Sequence, residues 1–336
     1  MPTDIPQWSK VDRRLFESEI LPAGRPAVLK GAADHWPLVQ RRTDSAAAIT
    51  DYLRAFNPGT QVEWLAGEPN IKGRFFYDDA MNGMNFRRVR GTFSEALTLL
   101  LRHLADPAPP ALALQALPMA VHLPHLELPH GLDLPPPYAH ATMWIGNAST
   151  VAAHFDFNDN IACVAHGRRR FMLFPPEQLE NLYIGPLEFT PQGVPISLVD
   201  VHNPDLARYP RFEQAAAAAQ VAELEAGDAL FIPYLWWHSV RSLEPFNILI
   251  NYWWNAVRRP PVAPFHSLLH GVIAIANLPA PQRRVWKRFF DHYVFQVHGD
   301  PAEHIAQERR GLLGSLSSEQ AAQFTAVLAH LLGGTR

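Results

Sequence analysis

Three side chains in this sequence could close on one metal ion. His154 and Asp156 are separated by a single residue in the run STVAAHFDFNDNIACVAH, and His238 follows in GDALFIPYLWWHSV. If the first run is a strand, residues i and i+2 share a face, so His154 and Asp156 point together while Phe155 points away. One imidazole nitrogen and one carboxylate oxygen are part of a metal site, and His238 supplies the third ligand. Two histidines and one carboxylate form the facial triad that suits Fe(II) and leaves coordination positions open. Open positions mean catalysis rather than structure. An H-x-D pair alone is a weak signal, its plain alternative being a polar patch at a strand end. Here it opens a β-rich segment, and a Gly227-Asp228 turn leads through the apolar run ALFIP to the late histidine.

The elements that must position these residues are short and β-like. TMWIG, STVAAHFDF, NIACVAH, RRFMLF, VAELEAG, ALFIP, SVRSL and FNILINYWW are alternating or apolar runs separated by turns such as AHG and EAGD, which argues an all-β sandwich or barrel. PDLARYPRFEQAAAAAQ interrupts them and is helical toward its alanine run. Earlier, PAVLKGAADHWPLV reads as a strand, a glycine turn and a short helix, and Thr92-x-x-Glu95 opens a helix through Leu104 with a capping-box pattern. The proline-rich stretch from Pro107 to Pro137 carries too many apolar residues for a flexible linker and reads as an ordered covering segment with a strand at ALALQAL. After Asn255 the period changes. Val285, Phe289, Tyr293 and Val297 recur at helical spacing before Gly299, and Ser317-x-x-Gln320 starts a last helix ending at Gly333. The expected organisation is a helix and strand region over 1–105, a β core over 106–255, and C-terminal helices over 256–336.

The chain's 336 residues can bury a full core, as one large domain or two small ones. A net charge of −3 gives no electrostatic reason to expect a nucleic-acid or membrane partner. One cysteine, Cys163, excludes an internal disulfide and any multi-cysteine metal site, and points to a cytoplasmic protein. The N-terminal MPTDIPQWSKVDRRLF lacks the pattern of a signal peptide, and the apolar stretch over 111–124 is too short to span a bilayer.

Taken together, PAVLKGAADHWPLV, HFDFNDNIACVAHGRRRFMLFPPEQLENLY, GDALFIPYLWWHSV and NILINYWW, in this order over about residues 15 to 255, resemble the cupin-like branch of the JmjC-type Fe(II)/2-oxoglutarate oxygenases. The resemblance implies a double-stranded β-helix, or jelly roll, in which His154, Asp156 and His238 hold iron. It also implies a hydroxylase that uses 2-oxoglutarate and O₂ and releases succinate and CO₂. A basic residue fifteen positions after the first ligand would pair with the distal carboxylate of 2-oxoglutarate; here that is Arg169, whose planar fork can grip a carboxylate with two parallel hydrogen bonds. By strand alternation Arg169 should face opposite to Arg168 and Arg170. Asn160 and Asn251 match positions that contact the cosubstrate or support the iron. Two positions depart from the family pattern: Val151 stands where a hydroxyl is usual, and Ala113 where a tyrosine is expected, with Thr150 or Tyr77 as possible helpers to Arg169.

Most of the tryptophans, Trp236, Trp237, Trp253 and Trp254 with Trp144 on a preceding strand, are expected in the core, with one or two at a substrate mouth beside Gln115; Trp144, Trp237 and Trp253 are the candidates there. His122, His125, His130 and His140 read as a lid or surface, and Cys163 as a small buried hydrophobe. The expected substrate is an amino-acid side chain on a protein or peptide, with no nucleic acid or membrane involved, and the C-terminal helices are expected to pair two copies in a homodimer. Two other readings stay open at this stage, a metal cupin dioxygenase or isomerase that does not use 2-oxoglutarate and a non-catalytic interaction scaffold.

Overall fold

The structure is a computed structural model that describes residues 2–126, 130–256 and 263–333. The part of the proline-rich segment at 127–129 and the junction at 257–262 lie outside the described residues. The chain divides into two compact units, Met1–Ala256 and Val257–Arg336.

The first unit is built from strands β1 (Thr3–Asp4), β2 (Gln7–Ser9), β3 (Ala27–Lys30), β4 (Gln61–Gly67), β5 (Arg74–Phe75), β6 (Phe86–Thr92), β7 (Ala111–Pro118) and β8 (His140–Gly146). These continue into β9 (Ser149–His154), β10 (Asp159–His166), β11 (Arg168–Phe174), β12 (Gln220–Glu225), β13 (Ala229–Ile232), β14 (Trp237–Ser242) and β15 (Asn247–Trp254). They form two sheets. The small one runs β1-β12-β11-β14-β9-β5, and the large one runs β2-β3-β13-β10-β15-β8-β7-β4-β6. The β-rich core with flanking helices matches the expectation, but it takes the form of two facing sheets, with no closed barrel among the described residues. The N-terminal third is part of that core, since it supplies strands to both sheets.

Layering follows from side-chain chemistry. The apolar inner faces meet in a cluster that joins Phe171, Leu173 and Val240 of the small sheet to Val164, Leu230 and Leu249 of the large one. The large sheet's other face is covered by helices through Phe16, Trp36, Leu53, Phe93 and Leu97. Buried on both sides, β10 and β15 read as nearly continuous apolar runs. The outer face of the small sheet is partly covered by the segment 182–219, through Leu182, Val199 and Phe212 against Met172 and Trp237.

Local signals in the sequence have direct counterparts. The helix Phe93–Arg102 is closed by a complete capping box between Thr92 and Glu95, a feature worth about 1 kcal/mol. The alanine run forms the helix Phe212–Ala218. Gly227 adopts φ +106°, where a Cβ would collide with an Asp34 carboxylate oxygen. The Asp228 that follows accepts from Gly31 and Glu225 N–H and from Lys30 Nζ, tying β3 to the turn.

Three expectations need correction. His130 is fully buried rather than part of a lid: its Nδ1 lies 2.8 Å from the Leu126 carbonyl, while Leu38 N–H donates to Nε2. His122 is fixed by Thr60 Oγ1 at 2.8 Å. In the second unit the helix over Ala280–Tyr293 stops before Val297, because Val294 caps it and Gln296 takes a positive φ. The periodicity therefore outlasts the helix. The last helix, Ser318–Gly333, begins at the Ser317/Gln320 box as expected.

Candidate metal centre

His154 ends β9 and is the direct cross-strand partner of His238 on β14. Asp156 lies just beyond the strand, so the loop aims its carboxylate rather than strand alternation; Leu235 N–H holds that loop by donating to the Asp156 carbonyl. The ligand atoms of His154, Asp156 and His238 all fall within 4.8 Å of one another, with His238 Nε2 3.7 Å from Asp156 Oδ2.

Backbone carbonyls fix both imidazoles. His154 Nδ1 is 2.9 Å from Ala152 O and His238 Nδ1 is 3.1 Å from Trp236 O. A carbonyl can only accept, so each Nδ1 carries a proton and each Nε2 keeps a lone pair for a metal. Burial first, then the neighbouring His238, lowers His154 to about 4 against the opposing pull of Asp156, so its ring is neutral at neutral pH.

The triad opens into a cavity of about 170 Å³ between the sheets, lined by Arg169, Asn160, Asn251, Val151, Trp144, Trp253, Gln115 and Gln192 among others. Arg169 is 6% exposed while Arg168 and Arg170 are exposed, as alternation predicts. Burial lowers its guanidinium to about 10, so it remains charged at neutral pH. No acidic neighbour offsets that burial, and its Nε has no hydrogen-bond partner. From the opposite wall a chain of amides reaches the triad. Trp144 Nε1 donates to Asn251 Oδ1 at 2.5 Å, Asn251 Nδ2 to Asn160 Oδ1 at 3.2 Å, and Asn160 Nδ2 to Asp156 Oδ2 at 3.3 Å.

Some candidates fall elsewhere. Trp237 is packed against Phe155 on the outer side of the small sheet. Tyr77 donates its hydroxyl to Phe189 O, outside the cavity lining. Thr150 points to the outer face because of a bulge: between the pairs His238↔His154 and Val240↔Val151, two residues of β9, Ala152 and Ala153, oppose the single Ser239. The extra residue lets Val151 and His154 both face the cavity and turns Thr150 away. Ala113 packs with Leu65 and Phe75. It is Gln115 and Ala116 that reach the cavity, where β7 loses register with β8 between Leu114 and Leu117.

Gln192 has no signal in the sequence. It lies in the loop before Ile196, and both its amide oxygen and nitrogen are buried without partners in the cavity wall, as is Trp253 Nε1. Cys163 is fully buried and its thiol is pushed well up by burial, which excludes a nucleophilic role.

Residues 13–259 match the family model of the cupin-like domain. The chain belongs to the cupin-like domain family. Among curated relatives, this cupin-like protein is 28% identical to the human bifunctional peptidase and (3S)-lysyl hydroxylase JMJD7, over 76% of the chain and 85% of that protein. It is 25% identical to the Drosophila melanogaster Jumonji C domain-containing protein 5, over 75% of the chain and 60% of that protein. It is 37% identical to rat HSPB1-associated protein 1, over 34% of the chain and 23% of that protein. For relatives of the last kind the matched region is about a quarter or less of the relative's own length. A cupin/JmjC-like domain with a two-histidine, one-carboxylate site supports oxygenase chemistry, and no described helix is long and apolar enough to cross a membrane.

Proposed function

We propose that the cupin-like protein is an Fe(II)- and 2-oxoglutarate-dependent oxygenase that hydroxylates an amino-acid side chain on a protein or peptide. The observation that carries this reading is Arg169. A buried charge without a partner is costly, and Arg169 shares one cavity with three metal-ligating side chains. An anionic chelator that reaches from the metal to this guanidinium satisfies both, as 2-oxoglutarate does. A cupin enzyme without 2-oxoglutarate leaves Arg169 uncompensated, and an interaction scaffold leaves the triad and its two backbone-fixed tautomers without a role. In this reading the two facing sheets are those of a double-stranded β-helix.

The donor set fits iron(II): two neutral imidazole Nε2 atoms and one carboxylate. His154, Asp156 and His238 would hold the ion, which when bound would couple O₂ reduction to oxidation of the cosubstrate. The chain's own groups do the rest. Arg169 binds and orients the distal carboxylate with its planar fork. The amide chain from Trp144 limits rotation of the Asp156 carboxylate. Val151, Phe171, Ile232, Val240 and Leu249 exclude water. Gln115, Gln192 and Trp253 present donors and acceptors to a polar substrate group. The relative named as a lysyl hydroxylase supports an amino-acid side chain as the substrate group. The proposal extends to a homodimer through the C-terminal helices, which expose Trp286, Phe289, Phe324 and Leu331.

The first test is anaerobic addition of 2-oxoglutarate to Fe(II)-loaded protein, followed by succinate measurement in air beside a His154→Ala control. A weak visible charge-transfer band with slow succinate formation, both lost in the variant, is expected. No band and no succinate would sink the 2-oxoglutarate assignment.

A further inference from the structure

Outside the cavity, a row of arginines without ion-pair partners among the described residues lies on the outer face of the small sheet. Cross-strand register aligns Arg170 with Arg241, Arg241 with Thr150, and Thr150 with Arg74. Registered partners project to one side of a sheet. Phe171, Val240 and Val151, next to them in sequence, line the cavity, so this row points outward. Three guanidiniums and a hydroxyl therefore stand side by side on four adjacent strands spaced about 4.8 Å apart.

Like charges directly opposite each other are destabilising, and the sheet does not neutralise them. Arg168, on the same face, is held by Glu223 at 3.0 Å and Glu244 at 2.8 Å. Glu223 is the registered neighbour of Arg170, yet its carboxylate turns to Arg168. Among the described residues neither Arg170 nor Arg241 makes an ion pair within 4.0 Å. Arg74 is half-buried over the Phe76 ring, 3.8 Å from its centroid, and its Nη2 is buried without a hydrogen-bond partner; burial lowers its guanidinium, and Asp200, with Tyr209, opposes that shift without forming an ion pair within 4.0 Å among the described residues.

The covering segment supplies a wall. Ser239 Oγ donates to Val151 O, so it accepts from the Nε2–H of His202 at 3.2 Å and fixes that ring above the row. Burial, then the field of Arg241 with contributions from Arg170 and Arg74, lowers His202 to about 4; Asp200 is the carboxylate that opposes them. The three guanidiniums thus act on one point.

We infer that Arg74, Arg170, Arg241 and Thr150, walled by His202, form an oxyanion site on the outer face of the small sheet that takes a phosphate group. A carboxylate offers two oxygens to one guanidinium fork, whereas a phosphate offers more acceptors and up to two negative charges, which suits three forks. The site lies across the sheet from the cavity and does not depend on the oxygenase reading.

The test is calorimetric titration of the full chain with inorganic phosphate and with phosphoserine at constant ionic strength, beside a short oligoribonucleotide. Arg170→Gln and Arg241→Gln alter exposed side chains, and circular dichroism checks that they fold. Each is expected to weaken phosphate binding roughly tenfold or more, the loss of one charge-assisted contact, while Arg87→Gln, at an exposed arginine on β6 of the large sheet, binds as the parent does. The free ion and the monoester are distinguished by which binds more tightly. No phosphate binding, or equal binding by the parent and both variants, would overturn the site. Binding of the oligoribonucleotide with no response to phosphate or phosphoserine would also overturn it, in favour of a nucleic-acid surface.

Discussion

His154 and His238 are registered neighbours on antiparallel strands, with ring centroids 4.3 Å apart at 52°. Two of the three ligands are therefore set by sheet hydrogen bonding, and only Asp156 depends on a loop. Removing either histidine takes away a ligand that the backbone holds in place. His154→Ala and His238→Ala should lose more iron affinity than the roughly 10- to 100-fold that loss of an outer partner costs. Iron stoichiometry after desalting reads this directly, and full retention of iron in either variant would refute the triad.

Arg169→Gln should weaken 2-oxoglutarate binding by roughly one to two orders of magnitude, the loss of a charge-assisted pair in a buried setting. Iron content should stay unchanged. Arg169→Lys keeps the charge without the fork and should fall between the two. Titration of the anaerobic iron complex with 2-oxoglutarate measures all three.

Trp144→Phe removes the donor that starts the amide chain to Asp156 but keeps most of the ring. Iron affinity should fall by up to roughly tenfold, the lower end for a residue that orients a ligand through others. The melting temperature should hardly move. A change in the ligand-field spectrum of the substituted Co(II) protein would separate an altered carboxylate orientation from a general loss of packing.

Acid should destabilise the fold through His202. Its folded value near 4 lies below the ordinary 6.5, so the unfolded chain binds more protons between these values. The contribution is fully present above about pH 6.5 and is lost as pH falls toward 4. Melting temperature against pH should be flatter over that window in His202→Gln, and identical slopes would remove His202 from the account.

If the C-terminal helices pair two copies, Phe289→Glu and Leu331→Glu should yield monomers by light scattering at micromolar concentration. A parent protein that is already monomeric would end that proposal.

Much of the core was legible because its signals are local. Alternation along RRRFMLF sets Arg169 opposite to Arg168 and Arg170, the capping box marks the helix after Thr92, and apolar runs mark β10 and β15. What escaped depends on contacts distant in sequence. His130 resembles its neighbours in a proline-rich stretch until Leu38 is seen to donate to its ring. Gln192 sits in an irregular loop whose composition says nothing about a cavity. Thr150, a candidate helper to Arg169 in the sequence, faces the other side of the sheet because β9 carries one extra residue before His154. The apolar period beyond Tyr293 continued in the letters after the backbone had left the helix.

The two alanines opposite Ser239 also bear on how this wall can change. Deleting Ala152 or Ala153 would restore simple alternation along β9. With His154 anchored, the remaining alanine would oppose Ser239 and Val151 would sit two residues before His154, still facing the cavity, with Thr150 still in the arginine row. A one-codon deletion would thus straighten β9 while leaving the chemistry of both faces as it is, so the extra residue sets the bend of this wall and not which side chains it presents.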